Sequence, residues 1–266
     1  MKTPKTLFRE YFRARIAKSG MLKGEDLENF IAGCSAEWEE TPCSEYGGMT
    51  PRAYFATLTD ADVLTEMLVT DIKEGGDPLA LIAERLAELP EAVRPLCALV
   101  TGDEREDIRI AAAELLWRMD NVPVETFVDL AFDGDAPEAL RERIIEVLSQ
   151  CGSAVYDAVM PGTEHLSGDA ALIAGELLVS SGVTNDGVCD FLLRLTDDPQ
   201  TLPRALQLIA SYGDFRAVPA LKKLARTCDY ATYTDIRSAV EMIGGEMDVE
   251  RDWTGDATYA LIKGGK

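Results

Sequence analysis

A helical unit recurs through this chain every 30 to 34 residues, and it constrains the fold more tightly than any other feature. Its copies begin at Asp107, Ala139, Asp169, Gln200 and Thr234. Their sixth positions are Ala112, Ile144, Ala174, Ala205 and Ala239. The ninth and tenth are Leu115-Leu116, Val147-Leu148, Leu177-Leu178, Leu208-Ile209 and Met242-Ile243. One such unit cannot bury its apolar face alone, so the copies must stack on one another.

From Asp60 the chain alternates helical stretches with short turns rich in Gly, Asp and Pro. Helices are expected near 60–74, 78–89, 91–101, 105–119, 123–132 and 137–151. Six more are expected near 153–160, 169–181, 186–196, 200–212, 215–227 and 232–244. They pair into about six hairpins. Prolines 78, 123, 137 and 199 stand near helix starts, where a missing N–H costs nothing, and glycines 152, 182 and 213 close helices. No segment shows a convincing period of two. The expectation is an all-α fold, an α-α superhelix or solenoid, spanning 59–245.

Residues 1–58 read as a helical cap and a loop. Leu7, Phe8, Tyr11, Phe12 and Ile16 fall at helical spacing from Pro4 to about Ser19. A second helix is expected from Glu25 to Trp38. Thr50 and Pro51 then supply an N-cap and a first helical residue. Residues 1–23 carry seven basic side chains against Glu10, which suits a cap on an acidic array, a partner-binding arm or a lipid surface. Residues 246–266 lack the repeat and are expected to cap the last hairpin.

Residues 1–58 hold eight basic and eight acidic side chains, so the net charge of −21 falls entirely on the remainder. Such a field repels phosphate backbones and attracts cations, although acidity also serves solubility alone. No apolar run approaches the roughly 18 residues of a membrane span. The six cysteines are scattered, with no C-x-x-C pair, and nothing reads as a signal peptide. Reduced thiols in a cytoplasmic protein are expected.

Ala210-Ser211-Tyr212-Gly213-Asp214-Phe215-Arg216-Ala217-Val218-Pro219-Ala220-Leu221 resembles the HEAT-like repeats named after phycobilisome lyases, whose outer helix starts G-D-x-R-A-V-P-A-L. Asp107-Ile108-Arg109 with Ala112, Leu140-Arg141, and Asp235-Ile236-Arg237 with Ala239-Val240 resemble the inner helix, D-x-x-V-R-x-x-A-x-x-A-L. The copies at Asp169 and Gln200 are degenerate. The resemblance covers roughly residues 60–245. It implies a HEAT-like solenoid that serves protein contacts, and only occasionally an enzyme.

The eighth position carries the strongest candidate site: Glu114, Glu146, Glu176, Gln207 and Glu241. At about 100° per residue, it lies about 140° from the apolar set. If these helices line the groove, the row forms an acidic ladder fit for a basic protein partner. The same row is equally read as a solvated face. Arg118 lies four residues after Glu114 and Arg143 three before Glu146, close enough to neutralise part of it.

Catalytic constellations are poor. His165 is the only histidine, so the paired ligands of zinc or di-iron sites cannot form, and no metal or cofactor is expected. Asp133-Gly134-Asp135 lacks the order and twelfth-position Glu of a calcium loop. There is no phosphate loop, no G-x-S-x-G elbow and no Cys-His pairing. The sequence therefore points to a non-catalytic protein-protein interaction scaffold. The alternative is an enzyme or accessory factor acting on a cofactor or nucleic acid, as in lyase-like or DNA-glycosylase-like HEAT proteins. A compact polar pocket holding Glu164 and His165 would favour it.

Overall fold

A computed structural model describes residues 2–19, 25–76 and 78–264. Lys23 and residues 265–266, counted above in the basic segment and the tail, lie outside the described residues. Among the described residues the fold is all-α, with no strand, and packing divides it into two compact units, Met1–Pro123 and Val124–Lys266. No helix among them is long and apolar enough to cross a membrane.

The first unit contains α1 (Pro4–Ser19), α2 (Glu25–Glu39), α3 (Pro51–Thr57), α4 (Ala61–Lys73), α5 (Ala80–Ala87), α6 (Val93–Thr101) and α7 (Glu106–Arg118). Thr50 caps α3 by accepting from Ala53 N–H, with Pro51 at the first helical position. This is the start that the Thr-Pro step encodes, because the missing N–H of proline falls where the helix has no acceptor for it. Helix α4 packs on α5, α6 and α7, and α5 on α7, so Leu64, Leu68, Ile82, Leu96, Ile108 and Leu116 are fully buried.

The basic first helix is bound to the C-terminal end of α4. Lys5 Nζ donates to Asp71 O at 2.8 Å and Gly76 O at 3.2 Å, and Arg9 donates to the carbonyls of Glu74 and Gly75, both at 3.1 Å. A helix end leaves its last carbonyls without partners and carries partial negative charge, so cations there are doubly favoured. The apolar side of α1 meets α2 through Phe8 against Trp38, ring centroids 5.4 Å apart, and Phe12 against Phe30 at 5.9 Å. The first helix is thus held by its apolar side against α2 and by its charges against the end of α4.

The second unit contains α8 (Val124–Phe132), α9 (Glu138–Leu148), α10 (Ser153–Val159), α11 (Gly168–Ser180) and α12 (Asp186–Arg194). It continues with α13 (Leu202–Tyr212), α14 (Val218–Leu224), α15 (Tyr230–Met242) and α16 (Ala257–Gly264). Neighbours in sequence are neighbours in space: α8 with α9, α10 with α11, α12 with α13, α14 with α15. The repeat helices also touch in order, α9 on α11, α11 on α13, α13 on α15. All five sixth-position residues are buried.

Local chemistry sets the joints. Gly213 closes α13 at φ 74°, its N–H bonded to Ile209 O, and Asp214 caps the next turn through Arg216 N–H at 2.9 Å. Tyr212 reaches the N-cap of α12, taking Asn185 N–H at 2.8 Å and donating to Asn185 O at 3.1 Å.

One expectation is corrected. Met242, a ninth-position residue, is 71% exposed at the last residue of α15. The tail leaves it bare. It folds against the first half of α15, where Trp253 and Tyr259 meet Tyr230 at 5.1 and 4.8 Å and Tyr233 donates to Val249 O.

Candidate functional site

Helices α9, α11 and α13 expose their outer faces side by side, and a groove of 390 Å³ runs across them. Its floor is apolar: Ile145 from α9, Leu177 and Val179 from α11, and Leu208 from α13. Behind this floor, α11 carries Gly175 where its sister helices carry Ile145 and Leu206. A Cβ on Gly175 would stand 2.8 Å from Leu208 Cδ1 and 3.3 Å from both Leu192 and Leu195. Without one, α13 comes close enough to α11 for Leu208 to lie in the floor.

Three residues of the proposed ladder form the rim: Glu146, Glu176 and Gln207. They come together because the eighth position recurs in register on adjacent helices. Glu146 and Gln207 are exposed and Glu176 is half-buried. Glu241 is exposed on α15 and does not line this groove. Glu114 is half-buried on α7 in the other unit, where it lines a separate groove with Arg118.

The rim is not a bare acidic strip. Arg204 of α13 donates to Glu176 of α11 at 2.6 Å and to Gln207 Oε1 at 2.8 Å, a bridge between neighbouring helices. Arg143 pairs with Glu146 at 2.5 Å within α9, and Arg237 with Glu241 at 2.9 Å within α15. Exposed pairs of this kind contribute about 0–1 kcal/mol each. Their effect is therefore on the potential of the rim, where carboxylates and guanidinium groups alternate. Two carboxylates against one guanidinium line the groove, and Ser149, Ser180 and Ser211 add hydroxyl groups. Ionised carboxylates offer about four acceptor directions apiece, so one arginine does not saturate them.

Glu164 and His165 lie exposed in the 3-10 turn Met160–His165, and neither lines the groove. The described residues contain no group of three His, Cys, Asp or Glu side chains that could hold a metal ion. The Asp133 carboxylate accepts the N–H of Asp135 at 2.9 Å, forming a turn. All six cysteines are free thiols. Burial, with the charges of Asp214 and Asp190, pushes the Cys189 thiol up to about 11, far from a nucleophile's range.

Sequence reasoning missed Arg204 and Gly175. Arg204 was visible only as a departure from the repeat's arginine position. Gly175 was visible as the one glycine at the seventh position, where a helix interior disfavours it by about 1 kcal/mol relative to alanine. No protein-family model matches the chain, and no curated protein matches it either.

Proposed function

We propose that this chain is a non-catalytic protein-interaction scaffold, a HEAT-like α-solenoid of stacked hairpins that binds a segment of a partner protein in the α9–α11–α13 groove. The observation that carries this reading is the groove itself: an apolar floor and a polar rim, supplied by equivalent positions of three successive repeat helices. Its 390 Å³ falls within the range of about 300–1,000 Å³ typical of ligand sites. In-order contacts of α9, α11, α13 and α15 support the solenoid. Free thiols, two of them buried, are in keeping with work in the cytoplasm.

The partner segment is amphipathic and cationic. The net charge of −21 favours lysine and arginine, while the floor requires apolar anchors. A phosphate backbone is the wrong partner for such a field.

A fluorescently labelled synthetic helix of leucine and lysine, with leucines at i, i+3, i+4 and i+7, tests the reading by anisotropy titration at low and high salt. Saturable binding that weakens with salt is expected. A photo-crosslinking leucine in the helix should label the lining of this groove, and Ser211→Arg, which places bulk and positive charge at an exposed rim position, should cut that labelling at least about tenfold. No saturable binding, or groove labelling that Ser211→Arg leaves unchanged, would sink the proposal.

A further inference from the structure

The first unit carries a second groove, of 650 Å³, on the faces of α5 and α7 and the end of α4. From α7 it takes Ala111, Glu114, Leu115 and Arg118, the fifth, eighth, ninth and twelfth positions of the repeat copy that begins at Asp107. From α13 the first groove takes Arg204, Gln207, Leu208 and Ser211, the same four positions of the copy that begins at Gln200. Residues spaced three, four and seven apart share one helix face, so the two grooves use the same face of the same repeated helix.

The plan agrees beyond position. Ile72, Ala83 and Leu115 form an apolar floor, each under a tenth exposed, as Leu177 and Leu208 do in the other unit. Small residues, Ala80, Ala83 and Ala111, line the space between α5 and α7. The charged lining is Asp107, Glu114 and Arg118, again two carboxylates to one guanidinium. Equal floors and equal charge balance select the same chemistry.

We propose that the chain has two equivalent anchoring sites, one in each unit, and that each takes a cationic amphipathic segment of polypeptide. This rests on the groove reading above. The two sites are built from the repeat rather than from one specialised surface, so each works without the other.

Isothermal titration with the same leucine–lysine helix tests it on the full chain. Two peptides per chain are expected. Ala80→Arg, at an exposed position of the second groove, should remove one site and leave the other's affinity unchanged within about twofold. Ser211→Arg should remove the complementary site, and the double variant should not bind. Ala111→Arg and Ser149→Arg serve as second variants, and thermal melting checks that each is folded. One peptide per chain, abolished by Ser211→Arg and untouched by Ala80→Arg, overturns the second site and leaves the first groove standing. No binding overturns both. Two sites that also accept a lysine–serine peptide without leucine overturn the anchoring argument, because charge alone would then suffice.

Discussion

Two glycines that both sit inside helices should respond in opposite senses to the same substitution. In α2, a Cβ on Gly33 would meet nothing within 4 Å, so Gly33→Ala gains only the helix preference of alanine, about 0.5–1 kcal/mol. In α11, a Cβ on Gly175 meets Leu208 at 2.8 Å and Leu192 and Leu195 at 3.3 Å. Leu192 is fully buried and Leu195 is 6% exposed, so neither can withdraw. Overpacking of this kind costs about 1–3 kcal/mol, which outweighs the same gain in preference. The net expectation is that Gly175→Ala destabilises by about 1 kcal/mol and that the two variants differ by about 2 kcal/mol. At about 2–4 °C per kcal/mol, they separate by several degrees in thermal melting followed by circular dichroism. Leu208 lines the groove, so displacing its Cδ1 should also weaken binding of the leucine–lysine helix. A Gly175→Ala protein as stabilised as Gly33→Ala would refute the close packing of α11 on α13.

Removing Arg204 leaves Glu146 and Glu176 as the groove's charged lining, so Arg204→Gln should tighten the cationic helix several-fold and steepen its salt dependence; anisotropy showing weaker binding would contradict the charge balance. Burial pushes Asp71 up, against the opposing pull of Leu79 N–H and Lys5, and Asp71 Oδ1 has no hydrogen-bond partner. An acid raised on folding costs stability at neutral pH, and the cost is relieved as pH falls through its raised value. Asp71→Asn should therefore raise stability by about 1 kcal/mol at pH 7, with a smaller gain in acid, and a loss in urea unfolding at pH 7 would refute this. Asp256 is held below the usual carboxylate range by the N–H groups of Tyr259 and Tyr230, so its contribution is present above the ordinary aspartate value and lost as pH falls through the lowered one. Asp256→Ala at pH 7 should speed amide exchange at both tyrosines, and unchanged protection would count against the tail's attachment. With its thiol near 11, Cys189 should have about a thousandth of its population as thiolate at pH 8 and escape labelling until urea opens the fold, as mass mapping can check.

The all-α fold was legible because its signals are local. The Thr50-Pro51 start, the Gly213 stop and the sixth-position alanines each depend on a few residues of one helix, and each is found in place. Met242 was misplaced because periodicity describes a face and not what stands opposite it. The same pattern that buries Leu208 within α13 leaves Met242 bare at the last residue of α15. The tail's route was equally hidden, since it depends on Asp256 serving two helices at once and on Arg251 lying 4.2 Å over Trp253.

The candidate site divides along the same line. Helical spacing gives the face on which Glu146, Glu176 and Gln207 stand, and it gives the Arg143 pair three residues from Glu146. It cannot give Arg204 with Glu176, 28 residues apart, because that contact depends on the register between α11 and α13. That register is itself set by Gly175, which lets α13 approach. The consequence reaches the choice of partner. A bare acidic ladder would accept any polycation, with affinity proportional to charge. A rim where arginine answers glutamate penalises a purely basic segment at each guanidinium and discriminates through the apolar floor between its charges. The proposed selectivity for amphipathic over merely basic segments thus rests on an inter-helix contact.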